Sequence, residues 1–113
     1  MHEMSIAQSI LEIVDETLAK QNNGKLQEVV VQIGELVAVV PDSLEFCYEA
    51  LVKDTKYESS KIIINVLPIK ANCKKCDNRF EIKNMLFICP QCESTNIQVT
   101  QGQELKISHL EVE

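Results

Sequence analysis

Apolar side chains recur at every third or fourth position near the start of the chain, the spacing that places them along one face of an α-helix. Ser5 has the position and side chain of a helix cap, and Asn22-Asn23-Gly24 supplies residues that tolerate the left-handed conformation at a helix end. The pattern predicts a first helix from Ser5 to Asn22. Its apolar face consists of Ile6, Ile10, Ile13, Val14 and Leu18.

After the first helix the spacing changes to the alternation that is typical of a β-strand. Lys25 to Val40 is rich in β-branched residues and predicts the first strand. Pro41 breaks this strand, and Asp42 or Ser43 is predicted to cap a second helix that runs to about Asp54. The apolar stripe of this helix is Leu44, Cys47, Tyr48 and Leu51.

Two further strands are predicted in the second half of the chain. Lys61 to Leu67 has apolar side chains at both parities, which predicts burial on both faces. Glu104 to Val112 is predicted to return and pair with the first two strands. We therefore predict an α+β fold with two helices packed on a three-stranded sheet and a small cysteine-rich β subdomain inserted after Pro68. Residues 1–68 plus 99–113 would form the α+β domain, and residues 69–98 the insertion.

The composition is that of an ordinary globular protein, with 45% hydrophobic and 25% charged residues in 113 positions. No apolar run reaches the ~20 residues that a membrane span needs, and the first residues lack the features of a signal peptide. We therefore expect a cytoplasmic protein, whose thiols stay reduced. The net charge of −6 argues against a nucleic-acid partner, which would require a basic surface.

Four of the five cysteines form two CxxC pairs, Cys73/Cys76 and Cys89/Cys92, separated by twelve residues. A CxxC turn directs two thiolates at one ion, and four thiolates complete the tetrahedral coordination of zinc. Phe80 to Phe87 is predicted to form a hairpin that joins the pairs. The segment has few large apolar residues, so a bound metal would supply much of its folding free energy. The spacing therefore predicts a closed, structural zinc site of the zinc-ribbon type.

Three other interpretations of these cysteines are a redox CxxC, a pair of disulfides and an iron site. Two pairs at ribbon spacing, without a thioredoxin-like βαβ context, favour zinc over all three. The fifth cysteine, Cys47, lies on the apolar stripe of the second helix. It is expected to be a buried structural thiol.

The first residues of the chain offer a second group of metal ligands. The α-amine of Met1, the amide nitrogen and imidazole of His2, and the amide of Glu3 can form adjacent chelate rings in a square plane. This geometry suits nickel(II) or copper(II). The positive end of the helix dipole opposes a cation here, and deprotonated amides together with the carboxylates of Glu3 and Asp42 would offset it. The alternative, that Glu3 only complements the dipole and His2 is solvated, stays open on chemistry alone.

Motifs along the whole chain carry a family resemblance. They are the start Met1-His2-Glu3-Met4-Ser5-Ile6, Ile33-Gly34-Glu35 at the end of the valine-rich strand, Pro41-Asp42-Ser43-Leu44, the paired CxxC knuckles and Gln101-Gly102-Gln103-Glu104-Leu105. In these respects the chain resembles the HypA/HybF nickel-insertion family, metallochaperones for [NiFe]-hydrogenase maturation and, in some bacteria, urease. Some members carry histidines beside the knuckles or an insertion in the zinc segment; this chain has neither.

The resemblance implies a non-enzymatic nickel carrier. Its nickel site would be Met1, His2 and Glu3, with Asp42 carried over weakly, and its zinc ligands would be the four clustered cysteines. Nickel(II) would be cargo and zinc a structural cofactor. The implied partners are a maturation GTPase, the hydrogenase large subunit and, in some bacteria, the urease machinery.

Two other classes of function remain as alternatives. A zinc-ribbon module for nucleic acids or proteins is one, although residues 70–98 carry five basic and three acidic side chains and, with the chain at −6, the remainder carries −8. A thiol oxidoreductase is the other, and zinc at stoichiometric amounts would count against it. No nucleophile–base pair, phosphate loop or carboxylate cleft is recognisable, which disfavours ordinary enzymes.

The second histidine, His109, lies in the last predicted strand. It shares parity with Leu105 and Ile107, whereas Leu110 and Val112 have the opposite parity. This pattern predicts either a β-bulge or partial cover of both faces. A histidine with a satisfied partner in the sheet is favoured over a nickel ligand.

Overall fold

The computed structural model describes residues 2–21 and 24–113. One three-stranded sheet is formed by Lys61–Leu67, Leu26–Gly34 and Leu105–Val112, in that order, and a second by Arg79–Ile82, Ile69–Cys73 and Ile97–Gln101. Two helices on a three-stranded sheet, joined to a small β module that carries the cysteines, confirm the predicted α+β fold class. The elements are α1 (Glu3–Lys20), β1 (Leu26–Gly34), a short 3-10 helix (Glu35–Val37), α2 (Pro41–Val52), β2 (Lys61–Leu67), β3 (Ile69–Cys73), β4 (Arg79–Ile82), β5 (Ile97–Gln101) and β6 (Leu105–Val112).

The main core lies between the two helices and one face of the first sheet. Val29 and Val31 of β1 are fully buried there, as are Val14 of α1 and Leu44 and Tyr48 of α2. Each such side chain contributes about 1.5–3 kcal/mol by leaving water. The hydroxyl of Tyr48 hydrogen-bonds the Ser60 hydroxyl at 2.6 Å, so the buried phenol is satisfied. Within the described residues, neither helix is long and apolar enough to cross a membrane.

The start of α1 differs from the prediction. The helix begins at Glu3, His2 occupies the cap position with an extended backbone, and no side chain caps the first turn. The predicted role of Ser5 as the cap is therefore wrong, because Ser5 already lies inside the helix. The helix ends at Lys20, and the predicted stop at Asn22 and Asn23 lies outside the described residues.

The first strand ends six residues earlier than its predicted end at Val40, at Gly34, and a 3-10 helix follows. Ala38 then adopts a left-handed conformation with φ 58°, which turns the chain towards α2. The predicted cap of α2 by Asp42 or Ser43 is wrong, because Pro41 opens the helix and Val40 is the cap residue. Asp42 lies in the first turn, where its charge complements the helix dipole.

The second strand spans Lys61–Leu67 as predicted, but its predicted burial on both faces is wrong. It pairs in parallel with β1 at the edge of the sheet, and the helices cover one face only. Ile62 on the helix side is buried, whereas Ile63 on the other side and Val66 near the end are exposed. The last strand returns to the sheet as predicted, but it pairs with β1 alone because β1 is central.

The two sheets meet where the backbones of Gly34 and Gly102 approach each other. Gly34 donates its amide to the Glu104 carbonyl at 2.7 Å, and Leu36 donates to the Gly102 carbonyl at 2.9 Å. A Cβ on Gly34 would lie 2.0 Å from the carbonyl carbon and oxygen of Gly102, and Gly102 itself has φ +125°. Only glycine allows this contact, which joins the end of β1 to the segment between β5 and β6.

We expect Gly34→Ala to lower the free energy of unfolding by about 2–3 kcal/mol, because backbone atoms must move to admit the methyl group. Urea unfolding followed by circular dichroism measures the change. Ala38→Gly is the matched control: it exchanges the same two residue types nearby but relieves a left-handed backbone, so it should be neutral or stabilising. An unchanged midpoint for Gly34→Ala would contradict the proposed constraint.

The second sheet is built differently from the predicted hairpin of Phe80 to Phe87. Arg79–Ile82 pairs with β3, and Ile97–Gln101 pairs with the other side of β3. The chain after β4 turns through Asn84 and Met85, both with φ 56°, so it does not continue as a strand. The predicted hairpin is therefore wrong, because its first half, β4, pairs with the preceding strand β3 and not with the residues that follow it. The division of the chain into domains stays a proposal.

Candidate metal centre

The two CxxC pairs form two knuckles with the same backbone hydrogen bonds. Cys73 donates its amide to the Asn78 carbonyl at 2.8 Å, and Asp77 donates back to the Cys73 carbonyl at 2.9 Å. In the second knuckle Cys89 donates to Ser94, and Glu93 to Cys89, both at 2.9 Å. The first cysteine of each pair is thereby fixed by a tight turn and buried.

A left-handed residue follows each CxxC pair. Asp77 has φ 60° and Glu93 has φ 62°. This conformation costs a residue with a side chain about 1 kcal/mol or more. It persists here because the turn directs both thiols of each pair to one point.

The four sulfur atoms meet at that point, and they all lie within 4.8 Å of one another. Cys73 Sγ is 3.5 Å from Cys92 Sγ, and Cys76 Sγ is 3.7 Å from Cys89 Sγ. Four ligands at ~2.3 Å from a tetrahedral zinc ion would be about 3.8 Å apart. The sulfurs are therefore at the separation of a tetrathiolate metal site, and all four remain free cysteines, not disulfides.

Backbone amides favour the thiolate form at the first cysteine of each pair. The amides of Cys76 and Lys75 lower the pKa of Cys73, and the Lys75 amide lies 3.4 Å from its sulfur. Burial opposes ionisation of Cys89, but the Cys92 and Gln91 amides prevail and lower its pKa to about 6. Thiolates are the form that binds metal.

The second cysteines behave differently in the absence of a cation. The backbone amide of Asn78 lowers the pKa of Cys76, but burial and the neighbouring thiols outweigh this effect and raise that pKa to about 12. The pKa of Cys92 is raised as well. A divalent cation would remove this competition by neutralising the negative charges. The donor set therefore fits a thiophilic divalent metal.

Asn78 is a residue of this site that the sequence interpretation missed. Its side-chain amide points to Cys89 Sγ at 3.8 Å, a contact that would stabilise a metal-bound thiolate from the outer shell. Its carbonyl also completes the first knuckle. Its place two positions after a CxxC pair is a signal that could have identified it.

Two of the predicted nickel ligands, His2 and Glu3, lie at the start of α1. His2 is exposed. Glu3 accepts a hydrogen bond from the Val40 amide at 3.3 Å, which joins the start of α1 to the start of α2. Its own amide and that of Val40 lower the pKa of the Glu3 carboxyl. Val40 was not identified from the sequence, because a backbone donor leaves no side-chain signal.

The part of the chain that the structure describes contains no second cluster of metal-binding side chains. Within residues 2–21 and 24–113, the four cysteines are the only group of three or more histidine, cysteine or acidic side chains close enough to share an ion. Asp42 is exposed in the first turn of α2 and is not part of such a group. Met1 lies outside the described residues. The assignment of Met1, His2, Glu3 and Asp42 to nickel stays a prediction.

The two remaining candidate side chains have other contacts. Ser108 is an unpaired bulge between Ile107 and His109, which explains the change of parity in β6. His109 faces solvent, with its Nε2 3.1 Å from a Glu111 carboxylate oxygen. Cys47 is half-buried and packs against the main core.

A small α+β protein with a tetracysteine metal site on a separate β module is the class that this geometry defines. The sequence profile of the family described as hydrogenase/urease nickel incorporation metallochaperone, HypA, matches residues 1–112. The chain therefore belongs to the HypA family.

Individual relatives agree with this assignment over their full length. The hydrogenase maturation factor HypA of Azotobacter chroococcum is 42% identical over 113 residues, covering 100% of both chains. That of Geobacter metallireducens is 37% identical with the same coverage. The solution structure of the Ni metallochaperone HypA from Helicobacter pylori superposes with a TM-score of 0.69 at 27% identity, covering 99% of this chain and 97% of that one. Another HypA solution structure gives 0.73 at 27% identity, covering 99% and 96%. The family favours nickel incorporation over the nucleic-acid and oxidoreductase alternatives.

Proposed function

We propose that this chain carries nickel(II), bound by the nitrogens of Met1, His2 and Glu3, and delivers it during maturation of a [NiFe]-hydrogenase. The observation that carries the proposal is that two backbone amides at the start of α1 make no hydrogen bond within the helix. The amides of His2 and Glu3 precede the first intrahelical hydrogen bond, which runs from the Ile6 amide to the His2 carbonyl at 3.2 Å. Nickel(II) can therefore displace the protons of these two amides to solvent and bind their nitrogens without breaking the helix.

The charge around this segment supports the same role. The positive end of a helix dipole disfavours a cation. The negative charge of the Glu3 carboxylate offsets it. Its hydrogen bond to Val40 holds it beside the proposed ligands. Asp42, in the first turn of α2, supplies a second acidic group, which we propose as an additional nickel ligand.

An exposed site suits a carrier because cargo must leave again. His2 is open to solvent, whereas two of the four cysteines are fully buried. We propose that the cysteines hold a permanent zinc ion and that only the terminal site exchanges metal. The chain would act in the cytoplasm as a carrier and not as an enzyme. A hydrogenase large subunit, a maturation GTPase and, in some bacteria, the urease machinery would be its partners.

Titration of the untagged, zinc-loaded protein with nickel(II) tests this function. The expected result is an equimolar complex with the visible absorption of square-planar nickel, and no release of zinc. Zinc displacement by nickel would contradict the division of roles between the two sites. Octahedral-type absorption would contradict the proposed nitrogen plane.

A further inference from the structure

The outward side of α2 carries the most exposed large apolar side chain in the described part of the molecule. Phe46 is 70% exposed. It lies on the opposite side of the helix from Leu44 and Tyr48, which are buried in the main core. An aromatic ring in water forgoes the free energy that burial would supply. Phenylalanine also has a lower helix propensity than alanine or leucine, so folding of α2 does not account for Phe46.

Two exposed carboxylates accompany this ring. Glu45 directly precedes Phe46, and Glu49 lies one turn after it. Helix α2 contains three acidic residues and no basic one. Within the described residues, neither Glu45 nor Glu49 forms an ion pair. Lys53 has the spacing of an intrahelical partner for Glu49, but the helix ends at Val52 and the Lys53 backbone is extended, with φ −58° and ψ 132°. Both carboxylates are therefore available to a partner.

The positions of these carboxylates do not stabilise the helix. Glu45 and Glu49 are four residues apart, so their like charges repel each other across one turn. Glu49 also lies in the last turn of α2, where the helix dipole disfavours negative charge. Residues that oppose the stability of their own element are expected at functional sites. Glu45, Phe46 and Glu49, here called the Phe46 surface, therefore indicate a binding surface.

We propose that the Phe46 surface binds an arginine side chain on an exposed segment of a protein partner. A guanidinium group can stack on the Phe46 ring and donate hydrogen bonds to a neighbouring carboxylate. Helical residues three positions apart have Cβ atoms about 5–6 Å apart, so the ring and the Glu49 carboxylate are within reach of one guanidinium. Lysine fits less well, because its ammonium group is a compact, strongly hydrated charge that cannot stack.

Charge disfavours the other classes of occupant. A second copy bound through the same surface would set Glu45 and Glu49 against their own counterparts, between two chains of net charge −6. Nucleic acids and anionic lipids are negatively charged as well, so the carboxylates repel them. In the part of the chain that the structure describes, these two residues belong to no group of three or more metal-binding side chains. The charge and the exposed ring together favour a basic protein segment.

The Phe46 surface lies on the same helix as one end of the proposed nickel site. The start of α2 is joined to the start of α1 by the hydrogen bond between Val40 and Glu3, and Phe46 follows Val40 by about 9 Å along the helix. A partner bound to this surface would therefore lie near the proposed cargo. Arginine binding itself does not depend on the nickel assignment. Zinc-loaded protein without nickel can test it, and either proposal can fail while the other stands.

Titration of this protein with two peptides of equal charge, hexa-arginine and hexalysine, tests the proposal. Nuclear magnetic resonance of the backbone amides locates the contact and measures both affinities. We expect hexa-arginine to shift the signals of residues 44–50 and to bind about threefold more tightly than hexalysine, the effect of a cation–π contact at an exposed site. Phe46→Leu keeps apolar bulk but removes the ring, so both peptides should then bind equally. Glu49→Gln should weaken both by about twofold.

Leu86→Ala is the matched control, because it shortens an apolar side chain of similar exposure, 60%, that lies outside α2. The preference for arginine should persist in this variant, and circular dichroism and metal content establish that each variant is folded. Equal affinity of the two peptides for the wild-type protein would overturn the proposal, as would a preference that survives Phe46→Leu. Self-association of the peptide-free chain that Phe46→Ala abolishes would assign the surface to a second copy and overturn it too. Binding to phosphatidylglycerol vesicles that Phe46→Ala abolishes would overturn it in favour of a membrane.

Discussion

Replacing His2 with alanine is expected to abolish tight nickel binding while the tetracysteine metal stays bound. The substitution removes the imidazole that would close a chelate ring with the His2 amide. It leaves the helix intact, because the His2 side chain makes no capping hydrogen bond. We expect nickel affinity to fall roughly a hundredfold or more, about 2.8 kcal/mol or more. Calorimetric titration of untagged protein measures the change.

The chain provides a matched control for this substitution. His109→Ala removes the other exposed imidazole, which contacts Glu111 in β6, and should leave nickel affinity unchanged. An extension before Met1 should have the same effect as His2→Ala, because it converts the α-amine into an amide. Equal nickel affinity in the extended protein, or a larger loss in His109→Ala than in His2→Ala, would show that nickel binds elsewhere.

Replacing Cys73 with serine is expected to release the metal and unfold the second sheet. The core of this module contains only three fully enclosed apolar residues, Ile69, Ala71 and Ile82, with partly buried neighbours. It is too small to fold without a cross-link. Metal binding supplies on the order of 10 kcal/mol in comparable zinc modules, and most of that should be lost. Metal analysis and hydrogen exchange over residues 69–101 measure the two effects.

Cys47→Ser is the control, since this thiol belongs to α2 and packs against the main core, away from the four clustered cysteines. This substitution should leave the metal content almost unchanged. Far-ultraviolet circular dichroism should still report both helices in Cys73→Ser, because the helices pack on the first sheet. Full metal occupancy in the variant would disprove the four-cysteine site. The nickel affinity of Cys73→Ser tests whether the nickel site and the cysteine site are coupled through the backbone contact between Gly34 and Gly102.

Local patterns predicted the elements well, and their ends less well. The helix over residues 3–20 follows from the spacing of Ile6, Ile10 and Val14. Its true start at Glu3 could not be derived from Ser5, because the Glu3 carboxylate is held by the backbone of Val40. The early end of β1 likewise depends on a contact between Gly34 and Gly102, which are far apart in the sequence. A pattern within one segment contains no information about such contacts.

The pairing of strands was the main error. Phe80 and Ile82 were expected to turn into a hairpin, but β4 returns to β3 and β5 completes the sheet on the other side. The apolar run of β2 suggested burial on both faces, whereas the helices cover one face and leave Ile63 and Val66 exposed. Alternation predicts that a strand forms; which strand lies beside it depends on competition among all possible partners.

The sequence by itself determined the chemistry of the metal centre, because two CxxC turns at this spacing already bring four thiolates within reach of one ion. It also determined the family and the acidic surface. Only the tertiary structure decided where the remaining features lie: Asn78 beside the Cys89 sulfur, Glu3 against Val40 and β2 as an uncovered edge. The physical reason is the distance along the sequence between the residues that interact. Chelating turns are set by neighbouring residues, whereas contacts to the ligand side chains and the positions of sheet edges depend on how distant segments pack.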